Sequence, residues 1–475
     1  MKDPLNATPL ASGASRTLVV DLDGTLCRTD TLWESFLAAW RLRWWLPLAA
    51  LVWIAKGRPH LKQEIAKIAL PAVGSLPWNA NVLRALRDAR SAGRRCVLAT
   101  AANERVARAC ADELQLFDEV ISSDGTINLK GKHKADVLVS RYGKQGFDYI
   151  GDSHADIPVW AEADGKFSVS KLLPLGGTRL KDDTALRLAV LWIKLLRARH
   201  WIKNVLVFVA LIAAHQWASA SAWLSSGLTF AAFCCVCSAV YVVNDLFDLA
   251  SDRLHPSKRS RPLAAGTLSL ALAALVALLL LVVGMVIAWL AGAWVAVTIV
   301  LYVTVNALYT LVLKRLPIFD VFCLAGLYTL RIVAGAVAVA VPLSTWLVAF
   351  SVFAFLSLAL LKRAADIARL APHETLPGRG YRGRDAAFVD SFGVSTAIAA
   401  CLVLALYVAS DQVASMYGEP LWLWGLVVVI LMWLARMWRT AMSGAMDDDP
   451  VLFATRDATS WGCAAIVALC IAMAL

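Results

Sequence analysis

The stretch that decides how the chain reads is Asn244-Asp245-Leu246-Phe247-Asp248-Leu249-Ala250-Ser251-Asp252-Arg253-Leu254-His255-Pro256-Ser257-Lys258-Arg259-Ser260-Arg261-Pro262. It follows an apolar run, Trp223 to Val243, long enough to cross a bilayer. Three carboxylates then arrive at spacings of three and four residues. A helix that continues through them carries Asp245, Asp248 and Asp252 on one face. The residue before a proline is pushed out of helical geometry, which predicts a stop near His255. Arg253, Lys258, Arg259 and Arg261 crowd the exit. Clustered acids beside clustered bases suit a magnesium-bound di- or polyphosphate. Mg2+ takes oxygens from a few carboxylates and shares the rest with phosphate and water, and the bases neutralise what phosphate charge remains. A solvated loop with a mixed charge run is the blander reading. Helical spacing at the end of a membrane-length run argues against it.

Working outward, the 475 residues are 59% hydrophobic with a mean hydropathy of +0.63, too apolar for an ordinary soluble protein. Up to about Arg187 the chain reads as soluble, and beyond Val205 as membrane. Apolar runs predict nine helices, near 204–220, 223–244, 267–288, 291–312, 318–340, 344–361, 392–411, 420–438 and 458–475. The net charge of +11 could suggest nucleic acid, but the bases sit in short joins between apolar runs. The joins after even-numbered helices hold them, Lys314, Arg315, Lys362 and Arg379 among them, and the joins after odd-numbered helices hold none. Positive loops face the cytoplasm, so nucleic acid is not the expected partner and a multi-pass protein of a bacterial inner membrane is, its N-terminal part cytoplasmic. Of the ten cysteines, Cys234, Cys235 and Cys237 lie in an apolar run and read as packing residues. Neither a structural zinc site nor a signal peptide is expected.

In the first part, Thr17–Asp21 reads as a buried strand running into Asp21-Leu22-Asp23-Gly24-Thr25. Two carboxyls straddling a tight turn then stand at the end of one strand, where ligands bind in an open α/β sheet. A second strand, Arg95–Ala99, ends in Thr100; Lys134 follows in G-K-H-K; a third strand ends in Gly151-Asp152-Ser153-His154-Ala155-Asp156. A lone D-x-D is weak, but the ordered set is specific. Between Leu26 and Gly93 an insert reads as a helical cap. Its Trp44–Ala55 run is too short to span and is flanked by Arg41, Arg43, Lys56 and Arg58. Membrane interface and cap core fit that run equally well.

The ordered set resembles the haloacid dehalogenase (HAD) phosphohydrolase superfamily over residues 15 to about 175. That resemblance implies a Rossmann-type parallel sheet with Asp21 as the nucleophile and Asp23 as general acid and base. Thr100 and Lys134 would bind the transferring phosphoryl group. Mg2+ would be held by Asp21 and Asp152, with Asp23 and Asp156 at the same site. A P-type ATPase is excluded by the missing D-K-T-G-T and by motif order.

The N-D-x-x-D-x-x-x-D and H-P-x-K-R-x-R-P patterns resemble the UbiA prenyltransferase superfamily, and within it the decaprenyl-phosphate phosphoribosyltransferase branch, over roughly the last 290 residues. The implied architecture has two domains: an α/β HAD-like domain at 1–180 with its cap at about 27–92, and an all-α membrane bundle at 204–475. A linker and an amphipathic lead-in at 181–203 would join them. The implied activity transfers 5-phosphoribose from phosphoribosyl pyrophosphate to a polyprenyl phosphate, with the HAD domain then removing the 5-phosphate. Asp245, Asp248 and Asp252 would hold Mg2+ beside Asn244. Lys203, Lys258, Arg259, Arg261, Lys314 and Lys362 would hold phosphates. Tyr309 through Asp320 resembles the second family motif, but where many relatives carry D-x-x-x-D only Asp320 stands here. Arg331 inside an apolar run is costly unless it faces a polar cavity, which makes it a site candidate. Gly378–Arg382 could bind phosphate, and a solvated basic loop fits it equally well. Asp447–Asp449 and Arg456 are weaker candidates. Two rival activities stay open: prenylation of an aromatic or quinone precursor, and a membrane-anchored phosphatase whose bundle is not catalytic. Self-association into a homo-oligomer also stays open.

Overall fold

A computed structural model describes residues 16–124, 128–180, 188–376, 378–446 and 449–475. The expected linker at 181–184 and the acids Asp447 and Asp448 lie outside these residues. The chain forms two compact units: residues up to Leu196 together with Tyr241–Ala277, and Arg197–Val240 together with Leu278–Leu475.

The first unit is built on a parallel sheet of six strands in the order β3-β2-β1-β4-β5-β6. The strands are β1 (Thr17–Val20), β2 (Cys96–Asn103), β3 (Glu119–Ser123), β4 (Phe147–Gly151), β5 (Lys166–Ser168) and β6 (Thr178–Arg179). β1, β2 and β4 are apolar and almost wholly buried, the pattern of strands covered on both faces. In sequence order come α1 (Thr31–Leu42), α2 (Leu46–Ala55), α3 (Arg58–Ile68), α4 (Ala80–Ser91), α5 (Glu104–Leu114), α6 (Lys132–Tyr142), α7 (Ile157–Glu162) and α8 (Leu188–Leu195). α4 lays Val82, Ala85, Leu86 and Ala89 into the sheet core, so the helices left to cap the sheet are α1–α3. The chain order reverses at β1, with β2 on one side and β4 on the other. That switch point is where a crevice opens at the carboxyl ends of the strands.

The same unit takes in the end of α10 (Ala220–Phe247), α11 (Leu249–Leu254) and the start of α12 (Leu270–Ala291). Leu37 of α1 and Leu191 and Leu195 of α8 share a core with Val242, Leu246, Leu249, Leu263 and Leu270. Trp40 packs on Phe247 with ring centroids 5.0 Å apart. Gly266, at φ +67°, lets the loop before α12 press on the α/β domain, because a Cβ there would stand 2.8 Å from the Cβ of Arg28.

The second unit is helical. α9 (Val209–Ala213) is followed by the first part of α10, then by α12 from Leu278, α13 (Ala293–Leu311), α14 (Phe319–Ala338), α15 (Thr345–Ile367), α16 (Ala386–Val408), α17 (Asp411–Met416), α18 (Leu423–Met442), α19 (Pro450–Ala454) and α20 (Ala458–Ala474). Its main core joins α14, α15, α16 and α18. Among the described residues seven helices are long and apolar enough to cross a membrane: α10, α12 to α15, and α16 and α18 with the turns leading into them. This is a multi-pass membrane protein. The expected count of nine is approximate. α20, the ninth, is a shorter apolar helix. The first expected helix, 204–220, is instead a 3-10 run, Ala198–Phe208, followed by the five-residue α9. The reason is polar: Lys203 and Asn204 turn inward to buried partners, and His215, at φ +53°, ends the winding.

Candidate active sites

Asp21 follows β1 and donates its backbone N–H to the Ile150 carbonyl at 3.0 Å, which sets it beside the turn after β4. Lys134, from the first turn of α6, donates to Asp21 Oδ1 at 2.9 Å and to the Tyr149 hydroxyl at 3.0 Å. Tyr149 in turn donates to Asp156 Oδ1 at 2.6 Å. The other Asp156 oxygen accepts from the backbone N–H groups of Asp152 and Ser153 and from the Ser153 hydroxyl. Gly24, at φ +77°, is the only residue type the turn accommodates, because any Cβ would collide with the Asp152 carboxylate. Thr100 is fully buried within β2, which continues to Asn103, and its hydroxyl accepts from Ala102 N–H. Asp21, Asp23, Lys134, Asp152 and Asp156 line one cavity, and Thr100 is buried in β2 just before its lining residues Ala101 and Ala102.

Asp23 is positioned by the cap. The Thr31 N–H, at the start of α1, donates to Asp23 Oδ1 at 2.7 Å, and the positive end of that helix favours a carboxylate there. Burial, with Asp30 close by, pushes Asp23 up to about 7. Burial also raises Asp21 against the pull of Lys134. Lys134 loses charge stability to burial but gains more from Asp21 and Asp156, so its ammonium is held above its ordinary value. Burial, then Asp21 and Asp156, push Asp152 up to about 7. Oxygens of Asp21, Asp152 and Asp156 lie within 4.8 Å of one another, and no other described set of three metal-binding side chains does so. Three crowded carboxylates with a single ammonium shared between two of them fit a hard divalent cation. Asp23 stands outside that set, and Asp156 is committed to Tyr149 and Ser153. A cavity of about 610 Å³ opens over these acids, walled on its other side by the cap. Lys62 of α3 reaches in and donates to the Ala101 carbonyl at 2.5 Å; nothing in the sequence marked it.

At the aspartate-rich end, α10 stops at Phe247 and α11 resumes at Leu249, with the 4-residue hydrogen-bond spacing kept through Asp248 and Asp252. α11 ends at Leu254, as the following proline requires. Arg261 donates to Asp245 at 3.2 Å and to Asp252 at 2.6 Å. One guanidinium thus bridges two buried carboxylates, which is the demand for a cation that a magnesium site has. Among the described residues no side chain bonds the Asp248 carboxylate. Asn244 is half-buried, and Lys258 and Arg259 are exposed.

The second unit gathers the remaining candidates. Lys203 donates to Asp449 at 2.5 Å, with Lys362 and His200 each 4.0 Å from the same oxygen. Burial opposes the Asp449 charge, but Lys203 and Lys362 outweigh it and hold the carboxyl below its usual range. The run Asp447–Asp449 is only a weaker candidate in sequence, where nothing shows which acid meets these bases. Arg331 donates to Asn204 at 2.9 Å and to the Tyr302 hydroxyl at 3.0 Å, with its guanidinium over the rings of Phe233, Tyr302 and Tyr328. Asp320 is fully buried and accepts from Arg363 at 2.7 Å and from Tyr381 at 2.7 Å. Arg379 and Arg363 both donate to the Tyr309 hydroxyl. The Gly378–Arg382 loop is therefore folded onto the second motif and is more than a solvated run. Lys314 is half-buried.

Residues 205–473 match the UbiA prenyltransferase family. The chain belongs to that family. Residues 18–160 match haloacid dehalogenase-like hydrolases, so this UbiA protein carries a HAD-like domain in one chain. It is 35% identical to the uncharacterized protein y4nM of Sinorhizobium fredii, over 96% of this chain and 91% of that one. It is 36% identical to the nodulation protein NoeC of Azorhizobium caulinodans over 56% of this chain and 87% of that one. The decaprenyl-phosphate phosphoribosyltransferase of Mycolicibacterium smegmatis is 36% identical over 37% of this chain and 56% of its own length. A solved UbiA homologue from Archaeoglobus fulgidus, bound to GPP and Mg2+, aligns with a TM-score of 0.45 at 16% identity, over 59% of this UbiA chain and 97% of that chain.

Proposed function

We propose that the chain is a membrane transferase that joins 5-phosphoribose to a polyprenyl phosphate, with an attached phosphatase that removes the 5-phosphate. The observation that carries this reading is the fate of the second motif. Its single acid, Asp320, is fully engaged by Arg363 and Tyr381, so that motif offers cations and hydroxyls in place of a second carboxylate cluster. One acidic cluster with a surplus of bases suits two phosphate-bearing substrates better than an apolar acceptor. The likeness to phosphoribosyltransferases over part of the chain supports the same choice.

In the transferase reaction an oxygen of the lipid phosphate attacks the anomeric carbon, and the bond to pyrophosphate breaks. Asp245 and Asp248 would hold Mg2+, with Asp252 positioned through Arg261. Lys258 and Arg259 of the first unit, and Lys203, Lys314 and Lys362 of the second, are the bases proposed for the 5-phosphate and the lipid phosphate. In the phosphatase reaction Asp21 attacks phosphorus while Asp23 gives its proton to the departing ribose oxygen. Asp23 then takes a proton from the water that splits the aspartyl-phosphate. Thr100 and Lys134 hold the phosphoryl oxygens, and Asp21 and Asp152 would hold Mg2+, oriented by Asp156. At both sites that ion supplies neutralisation of phosphate oxygen charge.

Membranes given labelled phosphoribosyl pyrophosphate and polyprenyl phosphate should move label into the lipid phase. Asp21→Asn should leave that transfer intact and cause phosphoribosyl lipid to accumulate in place of ribosyl lipid, one phosphate apart by mass spectrometry. Label that stays in water overturns the transferase reading. A lipid profile identical to wild type in Asp21→Asn overturns the sequential phosphatase.

A further inference from the structure

The cap helix α2, Leu-Pro-Leu-Ala-Ala-Leu-Val-Trp-Ile-Ala, has no polar side chain on any face. One face, Pro47, Ala50, Leu51 and Ile54, lines the cavity over Asp21, at the spacing of a single helical stripe. Another is turned outward: Leu48 is 68% exposed and Val52 is 58% exposed. A helix apolar all round belongs in a core or in lipid; this one enters the cap core only through Leu46, with Ala50 and Trp53 beside it, and leaves Leu48, Leu51, Val52 and Ile54 more than half exposed. At 10 residues it is about 15 Å long, too short to span. Exposed Arg41 and Arg43 precede it, exposed Lys56 and Arg58 follow it, and Trp44 and Trp45 stand at its start. Basic ends, interfacial tryptophans and an apolar body are what a helix lying in a membrane interface carries.

The rest of this unit says which surface covers α2. α1 packs through Leu37 and Trp40 on the ends of α10 and α12, both helices of membrane-crossing length. Only three residues join α1 to α2, a reach of about 10 Å, so α2 cannot stand far from the bilayer those two helices cross. We propose that α2 lies in the bilayer interface and roofs a lipid-accessible mouth of the phosphatase cavity, so that the Asp21 site hydrolyses a phosphomonoester carried on an apolar chain that stays in the membrane. The cavity is ordered for such a substrate. Asp21 and Lys134 take the terminal phosphate, Lys62 and Arg58 of the cap suit a second anionic group, and Leu51 and Ile54 receive the chain. A water-soluble sugar phosphate would leave that apolar wall unused. This rests on the phosphomonoesterase reading of the Asp21 site and not on the transferase.

The test compares two substrates that share one scissile group: ribose 5-phosphate in solution, and 5-phosphoribosyl farnesyl phosphate in vesicles of phosphatidylethanolamine and phosphatidylglycerol. Leu48 and Val52 do not line the cavity. The full-length Leu48→Asp/Val52→Asp double variant should lose at least tenfold in kcat/KM on the lipid and keep its rate on ribose 5-phosphate. Equal rates of variant and wild type on the lipid overturn the proposal and leave the phosphatase standing. A wild type that cleaves neither substrate overturns the phosphomonoesterase reading and the proposal with it. Should the variant lose both activities, a fluorophore on Leu48→Cys decides. Quenching by nitroxide lipids supports the proposal. Quenching by aqueous iodide alone, or shielding from both as a protein partner would give, overturns it.

Discussion

Asp248 differs from its two neighbours in what already holds it. Asp245 and Asp252 share the Arg261 guanidinium, whereas no described side chain bonds Asp248. A carboxylate with no structural partner at a break between two helices is placed to take its ligand from outside the chain. Asp248→Asn should therefore leave the thermal midpoint unchanged while transfer falls about a thousandfold or more, the loss expected when a leaving group is no longer metal-held. Asp252→Asn should behave differently, lowering transfer less and loosening Arg261, which a fall in thermal midpoint would register. Near-normal transfer by Asp248→Asn removes it from the site. The phosphatase residues divide in the same way. Asp21, Asp152 and Asp156 all line the cavity, but Asp156 is the one already held by Tyr149 and Ser153 while it pairs with Lys134.

At the level of elements, α1 serves both of the surfaces it touches. Its first N–H positions Asp23, and one turn on Glu34 accepts from Arg253 of α11 at 2.5 Å and from Thr29 at 2.8 Å. Both side chains of that ion pair are 6% exposed. Removing one partner of such a pair leaves a buried charge and costs about 3–5 kcal/mol. Glu34→Gln and Arg253→Met should each lower the temperature at which phosphatase activity is lost, and the double variant should lose less than the sum of the two. Strict additivity would mean that the pair does not couple α1 to α11. Sequence marks Arg253 only as one of the bases at the helix exit and does not mark Glu34, because neither carries a spacing signal that names the other as its partner. What sequence could read were motifs whose members follow one another at short range: the D-x-D-G-T turn, the G-D-x-x-x-D turn and the aspartate-rich helix end with its proline stop. It also read the apolar runs, since a bilayer demands length and hydropathy together. It misread 204–220 as one helix, because hydropathy cannot register that Lys203 and Asn204 face inward to partners distant in sequence. Asp449 and Tyr381, named only within the weaker stretches Asp447–Asp449 and Gly378–Arg382, had no readable partners for the same reason. Each acts only through residues that the fold brings back from far along the chain.

For the whole molecule, the placement of bases and the extent of the first unit constrain one another. Lys and Arg occur in the joins after α10, α13, α15 and α18 and in none of the joins after α12, α14 and α16. We propose from that alternation that the first set of joins faces the cytoplasm. The α/β domain and the end of α10 belong to one compact unit, so they lie on one side of the bilayer. α10 has 28 residues and is roughly 42 Å long, so its start is on the other side. The chain leaves α8 at Leu195 and reaches α10 at Ala220, so in this proposed arrangement the residues between those points carry it across although they form no long α-helix. A 3-10 run rises faster per residue than an α-helix, which lets this short stretch do so. Single cysteines test the arrangement against a quiet background, since of the ten native cysteines Cys235 and Cys323 are partly exposed and the other eight are buried. Ala218→Cys and Leu343→Cys should react with an impermeant maleimide added from outside, and Lys258→Cys only after the membrane is opened. Reaction of Lys258→Cys from outside inverts the topology. Reaction of Ala218→Cys from inside alone means that residues 197–219 turn back within the membrane, and the shared side of the phosphatase and the aspartate-rich helix end is then lost.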